Sequence, residues 1–229
     1  MPQQTITRDY PFADGDLKQK ADGLADSLTR DLADLAVRKI LAGNVTSLQG
    51  LISSFDEHST DQELLGLVQD ATDKKNAKRK EGEIAIRSIR NMAEIAYNGR
   101  GKYLNFGFEE ITKISDADFY RLAKRVGRIA NKYLTDLAPQ GLNAAQVTAI
   151  KTIATDFDNA IDDIEDAVEN RDVETQERIK KGNALYAEMM KLASVGKSIY
   201  EDVNEAKFND YVLTPSENQG DTPIVTPTP

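Results

Sequence analysis

Apolar residues recur every three or four positions along most of the chain, the spacing that places them on one face of an α-helix. Asp16 is the predicted N-cap of the first such helix, and Asp118 is the predicted N-cap of a similar helix further along. We therefore predict an all-α fold in which each amphipathic helix buries one face. The apolar positions of these two helices are Leu17, Ala21, Leu24, Leu28, Leu32 and Leu35, and Phe119, Ala123, Val126, Ala130, Leu134 and Leu137.

The second half of the chain repeats the pattern of the first half at a spacing of about 102 residues. Helical periodicity alone would reproduce the apolar matches, but it would not reproduce paired polar identities in the same order. We therefore predict an internal duplication, with an N-terminal arm at residues 1–11, repeat one at 12–111 and repeat two at 112–213. The clearest matches pair Asp14 and Asp16 with Asp116 and Asp118, Val45 and Thr46 with Val147 and Thr148, and Phe55 and Asp56 with Phe157 and Asp158.

Each repeat is predicted to contain three helices. Gly43-Asn44 in repeat one and Pro139-Gln140-Gly141 in repeat two are helix-stopping segments that should end the first helix. Thr60 and Glu63 form a capping box that should restart the second helix of repeat one after a break. We expect the two repeats to superpose about an approximate two-fold axis and to share one core.

The third helices and the loop between the repeats complete this picture. The third helix is predicted around residues 84–96 in repeat one and around residues 185–199 in repeat two. The segment from Asn98 to Gly107 contains three glycines and should form a loop whose aromatic side chains pack under the bundle. Phe55 and Phe157 are the predicted core anchors of the two repeats.

Charge and composition narrow the class of partner. The net charge of −9 disfavours a nucleic-acid partner, because phosphate neutralisation requires an excess of lysine and arginine on some surface. The dense basic run Lys74–Lys80 favours a solvated helix start over a binding patch. The absence of cysteine excludes disulfides and thiolate metal sites. Without an apolar run long enough for a signal peptide or a membrane span, the chain is expected to be cytoplasmic or a virion component.

The candidate chemical residues do not combine into a known reaction centre. His58 is the single histidine of the chain, and it is expected to be an exposed residue in the break of the second helix rather than a base or ligand. The run Asn98-Gly99-Arg100-Gly101-Lys102 follows a helix, whereas a phosphate-binding P-loop follows a strand. We expect a protein that is not an enzyme and has no cofactor.

An acidic run on the second helix of repeat two is the remaining candidate for a metal site. Its carboxylates lie opposite Phe157, Ile161 and Ile164, as on a solvated helix face. A di-iron bundle needs a Glu-x-x-His pair from each of two helices, which one histidine cannot supply. No metal site is therefore predicted at Asp156, Asp158, Asp162, Asp163, Glu165, Asp166 and Glu169.

The composition changes abruptly after Leu213 to proline, threonine, serine and acidic residues. Residues 214–229 have too few apolar side chains to order by themselves and are predicted to be an extended or disordered tail. Two interpretations of this tail remain open: it is a spacer, or it contains a short segment that docks on a partner. The candidate docking residues are Pro223, Ile224, Val225, Thr226 and Pro227.

The Asp-x-Asp starts, the Val-Thr…Phe-Asp segments and the closing segment Val203–Tyr211 resemble those of internally duplicated helical proteins of bacteria and their phages that have no assigned activity. The resemblance spans residues 12–213 and implies a structural or assembly role. We therefore expect a non-catalytic helical scaffold that contacts other protein subunits or its own copies, such as a subunit of a virion, appendage or secretion assembly. The alternative is a helical module that binds a small molecule or metal ion between the repeats.

Overall fold

The structure is a computed structural model that describes residues 6–108 and 111–213. These residues form α-helices, short 3₁₀ segments and turns, and no β-strand, which confirms the all-α prediction. No helix in these two ranges is long and apolar enough to span a lipid bilayer. The helices are α1 (Asp14–Arg30), α2 (Leu32–Leu35), α3 (Ala42–Asp56), α4 (Asp61–Tyr97), α5 (Asp116–Lys132), α6 (Leu134–Leu137), α7 (Ala144–Tyr200) and α8 (Glu205–Asp210).

The start of each half has the same order of elements. Helices α1 and α2 and the 3₁₀ turn Ala36–Arg38 correspond to α5, α6 and the 3₁₀ turn Ala138–Gln140, each displaced by about 102 residues. Each turn ends in a left-handed residue, Lys39 with φ 65° and Gly141 with φ 98°. The chain then enters the next long helix, α3 in the first half and α7 in the second.

The predicted N-caps of α1 and α5 are each wrong by three residues. Helix α1 begins at Asp14 after the extended residue Ala13, so Asp16 lies in its first turn and does not cap it. In α5 the N-cap is Ser115, whose hydroxyl accepts a hydrogen bond from the backbone N–H of Asp118 at 3.1 Å. An acid in the first turn stabilises a helix through the dipole without acting as the cap, and sequence patterns do not separate these two roles.

The predicted stop at Gly43-Asn44 is also wrong, because both residues lie inside the first turn of α3. The side chain of Asn44 accepts a hydrogen bond from the backbone N–H of Leu41 at 2.9 Å, so it helps to start this helix. The reversal occurs earlier, at Lys39. The predicted stop at Pro139-Gln140-Gly141 is confirmed, since Gly141 adopts the left-handed conformation after the 3₁₀ turn.

In each repeat, the end of the second predicted helix and the whole third predicted helix belong to one continuous helix, so the boundary predicted between them is wrong. In repeat one, Thr60 accepts from the N–H of Glu63 and Glu63 accepts from the N–H of Thr60, so the capping box is confirmed, but α4 then runs without a break to Tyr97. In repeat two the whole stretch is α7. Neither stretch contains proline. Internal glycines cost only about 1 kcal/mol each, which is too little to end a helix that is packed on neighbours.

The described residues divide into two compact units, each built from both predicted repeats. Unit 1 contains residues 6–59 and 174–213, so α1 and α3 pack with the C-terminal part of α7 and with α8. Unit 2 contains residues 60–108 and 111–173, so α5 and the N-terminal part of α7 pack with α4. The helix that completes each unit therefore comes from the other predicted repeat.

Each unit has its own hydrophobic core, so the prediction of one shared core is wrong. Phe55 is buried in unit 1 and Phe157 in unit 2, which confirms both as core residues. Phe106, from the 3₁₀ segment Gly101–Phe106, is also fully buried, whereas Leu104 of the same segment is 70% exposed. The largest fully buried side chains include Leu17, Leu24, Leu48 and Tyr211 in unit 1, and Ile86, Phe106, Phe119 and Phe157 in unit 2.

Candidate functional site

The polar residues of unit 1 converge where α7 ends. Tyr200, the last residue of α7, donates a hydrogen bond from its hydroxyl to Asp34 Oδ2 at 2.7 Å. Lys207 of α8 places Nζ 3.1 Å from the same carboxylate oxygen and 4.8 Å from the centre of the Tyr200 ring. A tyrosine, an aspartate and a lysine thus join α7, α2 and α8 at one point.

Asp31 lies beside this group and is the most buried carboxylate described, with 2% of its surface exposed. It accepts a bidentate pair from Arg30 at 3.0 and 2.7 Å and a hydrogen bond from the Tyr211 hydroxyl at 3.0 Å. Lys207 Nζ lies 2.8 Å from its other oxygen. The hydrogen bonds from Arg30 hold the pKa of Asp31 well below its usual range, although burial opposes this shift.

The neighbouring phenols are held in the neutral state. Burial, reinforced by the hydrogen bond to Asp31, raises the pKa of Tyr211 well above its usual value. Burial and the bond to Asp34 raise the pKa of Tyr200 in the same direction. At neutral pH these groups therefore act as fixed hydrogen-bond donors to ionised carboxylates. The arrangement holds charges in place and leaves no phenolate to act as a nucleophile.

Unit 2 has a matching group at the end of α4. Tyr97, the last residue of α4, has its hydroxyl 3.4 Å from Asp136 Oδ2, and Lys102 donates to the same carboxylate. Lys102 Nζ also lies 5.9 Å from the centre of the Tyr97 ring. The hydrogen bond from Lys102 is the main cause that lowers the pKa of Asp136. Tyr97, Asp136 and Lys102 thus occupy the roles that Tyr200, Asp34 and Lys207 have in unit 1.

A second matching contact lies where the first helix of each half begins. In unit 1, Arg178 of α7 places Nε 3.2 Å from Asp14 Oδ2, and its guanidinium donates to the carbonyl of Ser59 at 3.1 Å. In unit 2, Arg79 of α4 contacts Asp116 Oδ1 at 2.5 Å. Both acids lie in the first turn of a helix, where the helix dipole favours negative charge.

Further contacts reinforce the unit 2 pair. Arg79 also donates to the carbonyls of Ile111 and Ile114, at 3.2 and 2.7 Å. Lys75 Nζ lies 2.6 Å from Asp116. Burial opposes ionisation of Asp116, but the contacts with Lys75 and Arg79 outweigh it and lower its pKa. The basic run that contains these residues lies in the middle of α4, so the predicted helix start is wrong.

The N-terminal arm is held against α7 by backbone contacts. The backbone N–H of Ile6 donates to Gln176 Oε1 at 2.6 Å, and that of Asp9 donates to Asn183 Oδ1 at 2.8 Å. Tyr10 is buried, and its hydroxyl donates to Asp14 at 2.8 Å. Burial, with help from Asp14, raises the pKa of Tyr10 to about 12. Residues 6–10 are therefore part of unit 1.

Two concave surfaces are present in unit 1. One is a cavity of about 490 Å³ lined by residues of α7, α8 and the segment after α8, including Met190, Phe208 and Val212. The other is a groove of about 450 Å³ between α1 and α3, which is lined by acidic side chains. Each is lined by residues of one predicted repeat, the second for the cavity and the first for the groove. The groove-lining residues are Lys18, Asp22, Ala25, Asp26, Gln49, Ile52, Ser53 and Asp56.

His58 differs from the exposed residue that was predicted. It lies after α3 as expected, but only 15% of its side chain is exposed, and Nδ1 is 3.4 Å from Glu174 Oε2. The folding of the break against α7 covers the ring, a tertiary contact that the local polar sequence does not reveal. Nε2 is buried without a hydrogen-bond partner among the described residues.

The acidic run of α7 is largely solvated, as predicted. Asp162, Asp163, Glu165 and Asp166 are exposed. Asp156 is half-buried and pairs with Lys78 at 3.4 Å. Within residues 6–108 and 111–213, no three histidine or acidic side chains are grouped closely enough to hold a metal ion.

The loop at 98–102 reverses the chain through left-handed residues Asn98, Gly99 and Gly101, while Lys102 binds Asp136. The predicted docking residues Pro223, Ile224, Val225, Thr226 and Pro227 lie outside the described residues. The sequence patterns did not predict the ion pairs and hydrogen bonds of Asp31, Arg178 and Lys207, because a buried charge looks like a surface charge until its partners are known.

The chain matches no family model, and no curated protein or solved structure matches it.

Proposed function

We propose that the protein is a non-catalytic helical scaffold that works through contacts with other protein subunits, including copies of itself, as part of a larger assembly such as a virion, appendage or secretion apparatus. The observation that carries this proposal is that the buried charged groups tie one helix to another. Asp31 is the most buried acid among the described residues, and it binds Arg30, Tyr211 and Lys207. Such ties hold long helices at fixed positions, as a scaffold requires.

The fold of this scaffold is best explained by internal duplication. Tyr97, Asp136 and Lys102 repeat the arrangement of Tyr200, Asp34 and Lys207. The arginine–aspartate pairs at the helix starts repeat as well. These polar contacts are independent of the apolar periodicity that any two helices share. They support two related units, each completed by a long helix from the other repeat.

If the protein is such a scaffold, it should form a complex whose mass can be measured. The protein, isolated from cells that produce it under mild conditions, is expected to run in native mass spectrometry above the 25.3 kDa of one chain. Dissociation in the gas phase should release either identical subunits or one additional subunit in fixed ratio. Recovery of the single chain alone, at every concentration and in every preparation, would contradict the scaffold role.

The alternative function is a helical module that binds a small molecule. The cavity of about 490 Å³ next to Tyr211 favours it, since its size is within the range of ligand pockets. The apolar lining from Met190, Phe208 and Leu213 would suit an apolar ligand. A ligand that binds the native state raises the melting temperature by mass action. A thermal-shift screen that yields a hit, abolished by Ser194→Trp at an exposed position of the cavity wall, would favour this alternative.

A further inference from the structure

The acidic groove of unit 1 has a counterpart of opposite charge in unit 2. The groove between α1 and α3 is lined by three carboxylates, those of Asp22, Asp26 and Asp56, and by one ammonium, that of Lys18. Lys18 Nζ contacts Asp22 at 2.9 Å, which leaves an excess of negative charge along the groove. Asp26 and Asp56 are exposed, and Asp22 is half-buried. This surface is therefore accessible in the folded chain.

The matching positions of unit 2, about 102 residues later, carry the opposite charge. Lys124 stands where unit 1 has Asp22, Arg128 where it has Asp26, and Lys151 where it has Gln49. All three cations are exposed. Asp158 corresponds to Asp56 and is the one acid among the unit 2 residues that correspond to the groove lining. A chain with a net charge of −9 thus has a concentrated basic face on α5 and α7.

The two surfaces also differ in shape. The floor of the unit 1 groove contains Ala25. Its counterpart is Gly127, where an added Cβ would stand 3.0 Å from Lys151 Cγ and 3.3 Å from Ile150 Cγ2. The aliphatic stem of Lys151 therefore lies close over α5 at the position that corresponds to the groove floor. The unit 2 surface is filled by a cationic side chain where the unit 1 surface is concave and acidic.

We propose that the basic face of unit 2, formed by Lys124, Arg128 and Lys151, docks into the acidic groove of unit 1 on a second copy of this chain. The inference rests on the proposed scaffold function and specifies its partner. The contact joins two different surfaces, so a bound pair still presents one free groove, on one copy, and one free basic face, on the other. Such head-to-tail contacts extend into a ring or a filament. Ion pairs across the contact make it sensitive to salt, because exposed charges are screened within about 10 Å at 0.1 M ionic strength.

A charge-reversal experiment on the full chain tests the proposal. Sedimentation velocity of the unaltered protein at low salt should show a mass that rises with concentration and falls toward 25.3 kDa as salt is added. The pair Asp22→Lys and Asp26→Lys makes both surfaces basic, and the pair Lys124→Asp and Arg128→Asp makes both acidic. Each variant alone should sediment as a single chain. An equimolar mixture should regain association, because each reversed surface then meets an opposite one.

A matched control keeps the net charge change but leaves both surfaces intact. Asp162 and Asp166 are exposed on α7 and, like Asp22 and Asp26, lie four residues apart. The pair Asp162→Lys and Asp166→Lys should leave association unchanged. If a reversed variant does not fold, as judged by circular dichroism, Asp26→Ser and Arg128→Ser take its place, and each should weaken association by itself.

The outcomes separate this inference from the proposed function. Association that persists in both reversed variants, or a mixture that stays monomeric, overturns the docking of groove and basic face but leaves the scaffold role standing. A protein that is monomeric under all conditions and recovered without any partner overturns both. If the basic face binds a short RNA duplex while Asp22→Lys and Asp26→Lys change nothing, the partner is a nucleic acid and the proposal is wrong.

Discussion

The hydroxyl of Tyr200 lies 2.7 Å from Asp34 Oδ2, and this hydrogen bond joins residues 166 positions apart in the chain. Tyr200 ends α7, in the second predicted repeat, whereas Asp34 lies in α2, in the first predicted repeat. Tyr97 and Asp136 make the converse connection, from the first predicted repeat to the second. The two contacts together describe a reciprocal exchange of helices, in which residues 6–59 and 174–213 form unit 1 and residues 60–108 and 111–173 form unit 2.

Removing these tyrosine hydroxyls should have unequal effects. Tyr200→Phe is expected to lower the free energy of unfolding by about 1 kcal/mol, the usual net contribution of one hydrogen bond. Tyr97→Phe should cost less, because its hydroxyl lies 3.4 Å from Asp136 and is more weakly bonded. Urea denaturation of the two variants measures both values. Equal losses, or a larger loss for Tyr97→Phe, would contradict the assigned contacts.

Replacing Asp31 should destabilise the protein more at neutral pH than in acid. Asp31→Asn keeps the shape of the side chain but weakens its bonds to Arg30, Lys207 and Tyr211, at a cost of about 2 kcal/mol. The pKa of Asp31 is lowered in the folded state relative to about 3.9 in an unfolded chain. Its stabilisation is therefore present above about pH 4 and is lost as the pH falls toward the folded-state pKa.

Denaturation of the parent and of Asp31→Asn at neutral pH and near pH 3 measures this linkage. The difference in the free energy of unfolding between the two proteins should shrink at the lower pH. Asp210→Asn is a suitable control, because Asp210 also binds Arg30 but is exposed. A difference that stays constant with pH would mean that the charge of Asp31 does not stabilise the fold.

Two glycines inside α4 should respond in opposite directions to the same substitution. An added Cβ at Gly82 would stand 2.7 Å from Phe119 Cζ and 3.2 Å from Ile153 Cγ2, so Gly82→Ala should destabilise by about 1–3 kcal/mol through overpacking. Gly66 has no heavy atom within 4 Å of that position. Gly66→Ala should therefore stabilise by up to about 1 kcal/mol through helix propensity. Thermal unfolding of both variants checks the signs, and a stabilising Gly82→Ala would refute the close packing of α4 on α5.

The paired phenylalanines should be equally important to the two cores. Phe55→Ala and Phe157→Ala are each expected to destabilise by about 3–5 kcal/mol, because each removes a buried aromatic ring. Leu104→Ala, at a position 70% exposed, is the control and should change little. Chemical denaturation gives the three values. Unchanged unfolding midpoints for both phenylalanine variants would show that these rings are not core residues.

The repeating apolar positions predicted most of the helical fold. Leu17, Leu24, Phe119 and Val126 are buried where the three-and-four spacing placed them, since each half-exposed helix needs one apolar face. Local chemistry located the break at Thr60, where the capping box is visible in the sequence. These features depend on neighbours within one or two helical turns, and such neighbours are present in the sequence itself.

The features that sequence analysis missed depend on partners far along the chain. The contacts of Asp31 were not predicted, because Asp31 looks like an ordinary helix residue until Tyr211 and Lys207 are brought to it. The burial of His58 has the same origin, through Glu174. The exchange of long helices between the predicted repeats was also not predicted, because the apolar face of a helix does not indicate which other helix it packs against. The charge reversal from Asp22 and Asp26 to Lys124 and Arg128 was not predicted, because the sequence does not show that Asp22 and Asp26 line a groove.

The exchange of helices between the repeats is tested most directly by the unfolding of two separate fragments. Residues 60–173 contain every buried side chain of the unit 2 core, so this fragment should unfold cooperatively as a monomer in circular dichroism. Residues 12–111 lack Leu185, Met189 and Leu192, which complete the core around α1 and α3, and should show no cooperative transition as a monomer. The opposite result, a cooperative monomeric 12–111 fragment and an unfolded 60–173 fragment, would show that each repeat is a unit by itself and would contradict the exchange.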